Sequence, residues 1–181
     1  VYLKCLYGSA EKYRDIKAVF TIHNIQYQGI GDMYNMGDLL GLHEKFVPVL
    51  EFGGCMNFMK GAIVCADMVS TVSPTYANEI LSPEYSHGLH PVLEMCKGKL
   101  TGILNGIDRE YYNPAKDNEL IKNFSYMRTG GKKECKKFLQ EYLNLPVKED
   151  VPMVIMITRL VSHKGLDIVK ESLYSLLEEN I

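Results

Sequence analysis

No stretch of this 181-residue chain stays apolar for the roughly 20 residues that a bilayer-spanning helix needs, which excludes such a span. Neither sign of charge dominates. Twenty Lys and Arg against 22 Asp and Glu leave a net charge of −2, so there is no bulk electrostatic case for nucleic acid. The five cysteines, Cys5, Cys55, Cys65, Cys96 and Cys135, are odd in number and contain no C-x-x-C pair. Their spacing supports neither a zinc site nor a redox dithiol, and they read as buried reduced thiols of a cytoplasmic protein. A phosphate-binding G-x-x-x-x-G-K-[ST] loop is missing, and no G-x-G-x-x-G follows any strand, which weighs against a dinucleotide oxidoreductase. Ser73 lacks the G-x-S-x-G setting of a hydrolase nucleophile. There is no initiator Met, no signal-peptide pattern, no internal repeat and no low-complexity run. The chain opens at Val1 and closes at Ile181 inside a predicted helix, so it reads as part of a longer protein.

What is present is a globular composition, 46% hydrophobic and 23% charged. The length suffices to bury one good core or to begin two. Residues 17–22 form an apolar run of the kind found in a buried parallel strand. Residues 27–41 carry glycines and polar groups and predict a loop or short helical turns. The apolar spacing from Phe52 to Cys65 predicts a helix. Met68 to Val72 predicts a strand, and Ser73-Pro74 predicts an N-cap and first helical residue for a helix to about Leu81. A turn-rich stretch follows to His90, then a strand from Lys99 to Leu104 ended by Asn105-Gly106. Further on, the patterns predict a helix over 132–143, a strand over 153–157 and a helix over 165–179. Strands alternating with helices imply an α/β fold with parallel, Rossmann-like sheets. The polar stretch near 108–118 suggests that one sheet ends there and a second begins.

In open α/β sheets, ligands bind beyond the carboxyl ends of strands. Two strand ends therefore stand out. His23 and Asn24 follow the first predicted strand; Arg159 and Lys164 follow Met153–Ile157. Asn both donates and accepts, which suits a sugar hydroxyl, and it equally suits a strand-end turn. Arg and Lys before a helix N-terminus, with Gly165 between, suit a phosphate. A histidine at a strand end is also a common hydrogen-bonded structural group, and the two cations also read as solvated surface charge. The residues alone leave both pairs of readings open. His87 and His90 lack the helix and carboxylate spacing that would favour a metal. The basic run Arg128, Lys132, Lys133, Lys136 and Lys137 is diluted by Glu134 and Glu141 and reads as a solvated face.

Six blocks in order carry a resemblance: TIHNIQYQG, MNFMKGAI, ADMVSTVSPTYANEI, GILNGID, YYNPAKD and ITRLVSHKGLDIV. Together they resemble the bacterial glycogen synthase and plant starch synthase family, the ADP-glucose-dependent branch. The resemblance implies a two-domain GT-B glycosyltransferase with Rossmann-like domains facing each other across a cleft. Residues 1–110 would be the C-terminal part of the acceptor-side domain. Residues 111–181 would be the crossover and the start of the nucleotide-sugar domain. It implies retaining transfer of glucose from ADP-glucose to the non-reducing end of an α-1,4-glucan, glycogen or starch, without metal or cofactor. By resemblance, His23, Arg159 and Lys164 are catalytic. Asn24 and Asn105 line the sugar pocket, and Arg159 and Lys164 bind the ADP phosphates. The location implied is cytoplasmic, or plastidic in a plant or alga.

Two departures stand beside the match. Lys60-Gly61-Ala62 reverses the usual Ala-Gly order, which implies a packing change, and residues 84–90 differ in loop detail. The family's Lys-x-Gly-Gly loop would lie upstream of Val1 and its Glu-Pro-Cys-Gly-type motif beyond Ile181, so the chain by itself is expected to lack synthase activity. An exposed strand–helix unit over 153–179 is expected to show apolar surface and an unpaired edge. The alternatives are a non-catalytic glucan-binding module and another nucleotide-sugar-dependent glucosyltransferase.

Overall fold

The computed structural model describes residues 1–179, with Ser162 described by its backbone alone. The prediction that Ile181 lies in a helix falls outside those residues. The chain divides into two compact units, Val1–Gly106 and Ile107 onward.

In the first unit the elements run α1 (Tyr2–Cys5), β1 (Val19–Ile22), β2 (Ile30–Gly31), α2 (Asn35–Asp38), α3 (Val47–Leu50), β3 (Glu51–Phe52), β4 (Cys55–Asn57), α4 (Phe58–Cys65), β5 (Met68–Thr71), α5 (Pro74–Glu79), α6 (His90–Met95) and β6 (Leu100–Gly102). Strands β1, β5 and β6 form a parallel sheet in that order. This is the α/β architecture with a parallel sheet that the alternation of patterns predicts. Ile22 pairs with Thr71, and Thr71 with Gly102, so all three strands finish level at their carboxyl ends. Helices α4, α5 and α6 supply the crossovers. Their apolar faces meet the sheet in one core containing Ile22, Ile25, Ile63, Val69, Ile80, Leu89 and Leu93, each at most 1% exposed. Burying a side chain of this size contributes roughly 1.5–3 kcal/mol relative to leaving it in water.

A smaller antiparallel sheet, in the order β2-β4-β3, lies over a second cluster of Met36, Leu42, Leu50 and Met56. It corrects the predicted helix over Phe52–Cys65. Only Phe58–Cys65 is helical, and Glu51–Asn57 is a hairpin. The physical reason is Gly53-Gly54, with φ of +64° and +80°. Two consecutive residues of positive φ make the two-residue turn whose twist matches paired strands. Asn57 then caps α4 by accepting from the Lys60 N–H at 2.9 Å. Ser73 caps α5 as predicted, accepting from the Tyr76 N–H at 2.9 Å, with Pro74 in the first helical turn. Helix α6 begins inside the stretch read as turns, because Pro91 suits a first helical turn as well as a loop.

The second unit contains α7 (Gly131–Tyr142) and α8 (Leu166–Glu178). Lys136 Nζ donates to the carbonyls of Glu149 and Val151, Gln140 Nε2 donates to Lys148 O at 3.3 Å, and Lys133 pairs with Glu149. These bonds hold residues 148–151 against α7. The basic run is therefore partly a set of structural donors rather than only a solvated face. Met153–Ile157 pairs with no neighbour, and the one ladder contact among the described residues of this unit is the bridge Ser125–Arg128. A strand exists only where a second segment accepts and donates alongside it, and no described segment does so here. Ile157 is 95% exposed, and α8 buries no residue.

The cysteine reading also changes. Cys55 is exposed in the β3–β4 hairpin and the other four are half-buried: Cys5, Cys65 and Cys96 at helix ends and Cys135 on α7, none of them inside either core. No helix among the described residues is long and apolar enough to cross a membrane.

Candidate functional site

The level carboxyl ends of β1, β5 and β6 define one edge of the parallel sheet. His23 is the first residue beyond β1, and Asn105 the third beyond β6. With β5 between them, the two strands are about 10 Å apart in a sheet of ordinary spacing. The structure thus brings His23, Asn24 and Asn105 to one end of one sheet. The His23 ring is exposed and has no hydrogen-bond partner among the described residues, so it is not acting as a bonded structural histidine. Asn24 is half-buried, and its Oδ1 accepts from the Gln26 N–H at 2.9 Å, which closes a tight turn. The turn reading of Asn24 is therefore realised in its oxygen, while its NH2 group remains as a donor. Asn105 is exposed in the segment leaving the sheet.

Three residues outside the strand-end pairs hold this edge. Thr71, 1% exposed, donates from Oγ1 to the Ile22 carbonyl at 2.8 Å, directly before His23. The Tyr76 hydroxyl accepts from the Ile25 N–H at 3.4 Å. At Gly102 a Cβ would stand 2.1 Å from the Ser73 carbonyl oxygen and 2.3 Å from the Pro74 nitrogen. The backbone of β6 thus passes against the N-terminus of α5 at a distance that only glycine permits. The signal for Gly102 was available, since a glycine inside a strand pattern marks a close backbone approach. Thr71 and Tyr76 carry no comparable signal, because their partners are 49 and 51 residues away. Behind the edge, buried Gln28 receives the Asn57 amide at 2.7 Å and donates to the His87 carbonyl at 2.9 Å. That bond fixes the loop in which His87 takes a φ of +47°.

In the second unit, Arg159 and Lys164 lie before α8 and are both exposed. The Val161 N–H donates to Arg159 O at 2.9 Å, and the Lys164 N–H to Val161 O at 3.0 Å. These bonds fold residues 159–164 into successive tight turns. Gly165, at φ +68°, then redirects the chain into the 13-residue helix. Among the described residues neither cation pairs with a carboxylate. Both charges are thus free to meet an anion near a helix N-terminus, which is itself a favourable setting for phosphate. A pocket of about 300 Å³ in this unit, lined by residues including Gln140, Leu145, Val151, Met153 and Leu177, holds neither residue.

Residues 1–95 match the family described as the starch synthase catalytic domain. The chain belongs to that family. Over 181 residues it is 44% identical to a glycogen synthase of Streptococcus equi subsp. equi, covering 99% of this chain and 38% of that protein. A glycogen synthase of Alkaliphilus metalliredigens is 46% identical over 181 residues, with the same coverage. Among solved structures, the catalytic domain of starch synthase IV from Arabidopsis thaliana, bound to ADP and acarbose, matches with a TM-score of 0.87. Its identity is 36%, over 98% of this chain and 37% of that one. This starch synthase family chain thus spans under two fifths of the length of the relatives it matches.

Proposed function

We propose that this chain is a central part of an ADP-glucose-dependent glycogen or starch synthase. The reaction is retaining transfer of glucose to the non-reducing end of an α-1,4-glucan. Residues 1–110 supply the acceptor-side part and residues 111–181 the start of the nucleotide-sugar domain. His23 lies against the transferred glucose, with Asn24 and Asn105 bonding sugar hydroxyls. Arg159 and Lys164 bind the diphosphate. The observation that carries this reading is the level end of β1, β5 and β6, which collects His23 and Asn105 at one edge in a chain of this family. Two cations that meet no carboxylate among the described residues support the phosphate role. Breaking the glucose–phosphate bond leaves negative charge on ADP, and fixed cations lower the barrier by meeting that charge as it develops. Arg offers a planar fork for two oxygens and Lys a point charge. Such an enzyme works in the cytoplasm, or in the plastid of a plant or alga.

Separate titrations of the protein with ADP and with a maltooligosaccharide test the assignment. ADP binding that weakens at least ten-fold in Arg159→Ala or Lys164→Ala is the expected result. Glucan binding with no ADP binding would instead indicate a glucan-binding module. The 181 residues alone are expected to incorporate no glucose from ADP-glucose into glycogen; robust incorporation would refute that expectation.

A further inference from the structure

Cys5 and Cys65 lie 60 residues apart in sequence, yet their sulfurs are 3.8 Å apart. Cys5 is the last residue of α1 and Cys65 the last of α4. Both thiols are free and half-buried. From this juxtaposition we propose that Cys5 and Cys65 are a reversible disulfide pair, a covalent clip between α1 and α4 formed by exchange with a small-molecule disulfide.

The surroundings keep the pair in register. Lys99 Nζ donates to the carbonyls of Val64 at 3.1 Å and Ala66 at 2.6 Å, on either side of Cys65. Lys4, next to Cys5, pairs with Asp67 at 2.6 Å, and that carboxylate also accepts from the Ala18 N–H at 2.7 Å. The Lys4–Asp67 pair thus ties the two ends of the clip together before any bond forms, and Lys99 fixes the Cys65 end. Burial, and then the neighbouring Cys5 sulfur, raise the Cys65 thiol above its ordinary range.

The exchange balances in two steps. The Cys5 thiolate attacks one sulfur of oxidised glutathione, forming a mixed disulfide and expelling one glutathione thiolate. Cys65 then gives its proton to solvent and attacks the Cys5 sulfur, expelling the second glutathione thiolate. Two protein thiols are oxidised and one glutathione disulfide is reduced to two thiols. Closing the bond needs the sulfurs to approach from 3.8 Å to about 2.05 Å. Among the described residues the other three cysteines have no such partner: Cys55 is exposed at the β3–β4 hairpin, Cys96 packs against the core at the end of α6, and Cys135 donates to the Lys122 carbonyl at 3.3 Å.

The test incubates the reduced, folded chain with oxidised glutathione, quenches with acid, alkylates, and maps disulfides by mass spectrometry. The expected product is a Cys5–Cys65 cross-link forming at least ten-fold faster than any other pair, removed by dithiothreitol. The preference should vanish in urea, where proximity is lost. The oxidised chain should melt at least about 5 °C higher, since closing a long loop restricts the unfolded state. Cys5→Ser and Cys65→Ser should each abolish both the cross-link and the shift. If either variant fails to fold, the wild-type map in buffer against urea decides alone. Mixed glutathione adducts that persist on Cys5 or Cys65, or cross-links distributed among all five cysteines, would overturn the proposal. Neither outcome bears on the glucosyltransferase reading.

Discussion

Thr71 ties the end of β1 to β5 at the point where the candidate site begins. Its hydroxyl donates to the Ile22 carbonyl from a position closed to water, so no solvent replaces the bond when it is lost. Thr71→Val keeps the shape and removes the donor. Urea unfolding should show a loss of about 1 kcal/mol, with Thr71→Ser close to wild type; equal stability of Val and wild type would contradict the role. Asp67 gives a prediction in pH. The Lys4 ammonium, and then the Ala18 N–H, hold its carboxyl below the ordinary aspartate value of 3.8. A depressed pKa in the folded state contributes stability that is present above the unfolded value. That stability is lost as pH falls through the folded value. Melting temperature should therefore drop on acidification below about pH 4, and Asp67→Asn should flatten that part of the curve. An unchanged acid profile in the variant would argue against the pair. At this scale the sequence was legible where a residue acts through its own type. His23, Asn24, Arg159 and Lys164 were readable as candidates from strand-end position and chemistry, and Asn105 only through the resemblance of its block to the family. Thr71, Tyr76 and the Cys5–Cys65 pair were not, because each depends on a partner 49 to 60 residues away.

Elements form here for reasons that differ in how far along the chain they reach. The α5 cap at Ser73 and its Pro74 are local, and the pattern predicts them directly. The β3–β4 hairpin is local as well, but the helical spacing of Phe52, Cys55, Phe58 and Met59 obscured Gly53-Gly54. Turn chemistry prevailed over periodicity. Strand β6 depends on both ranges. Its residues suit a strand, yet its end must pass the Ser73-Pro74 backbone with no side chain in the way. Gly102→Ala should cost about 2–3 kcal/mol, since backbone rather than a flexible side chain must yield. It should also displace the segment leading to Asn105. Denaturant unfolding and the amide chemical shifts of 103–106 check this together; a folded variant with both unchanged would contradict the close approach.

The whole molecule is two units of unequal completeness. The first has a sheet, three crossover helices and a closed core, and it carries the sugar-side candidates on one edge. The second presents Val154, Ile157, Leu160 and Ile168 largely to solvent, and its predicted strand meets no partner among the described residues. Apolar pattern identifies a strand but not its neighbours, so the run over 153–157 was legible as a strand-forming sequence and its pairing was not. The chain spans 37–38% of its relatives, and the proposed site draws on it for both the sugar and the diphosphate. The most direct test is glucose transfer by the full-length protein that contains this sequence. Labelled ADP-glucose and glycogen are supplied to the wild type and to Arg159→Ala, Lys164→Ala and His23→Ala. The expected result is α-1,4-linked incorporation by the wild type and a loss of at least about 100-fold in each variant, on the scale of removing one transition-state contact. Wild-type transfer that persists undiminished in the Arg159 and Lys164 variants would contradict it.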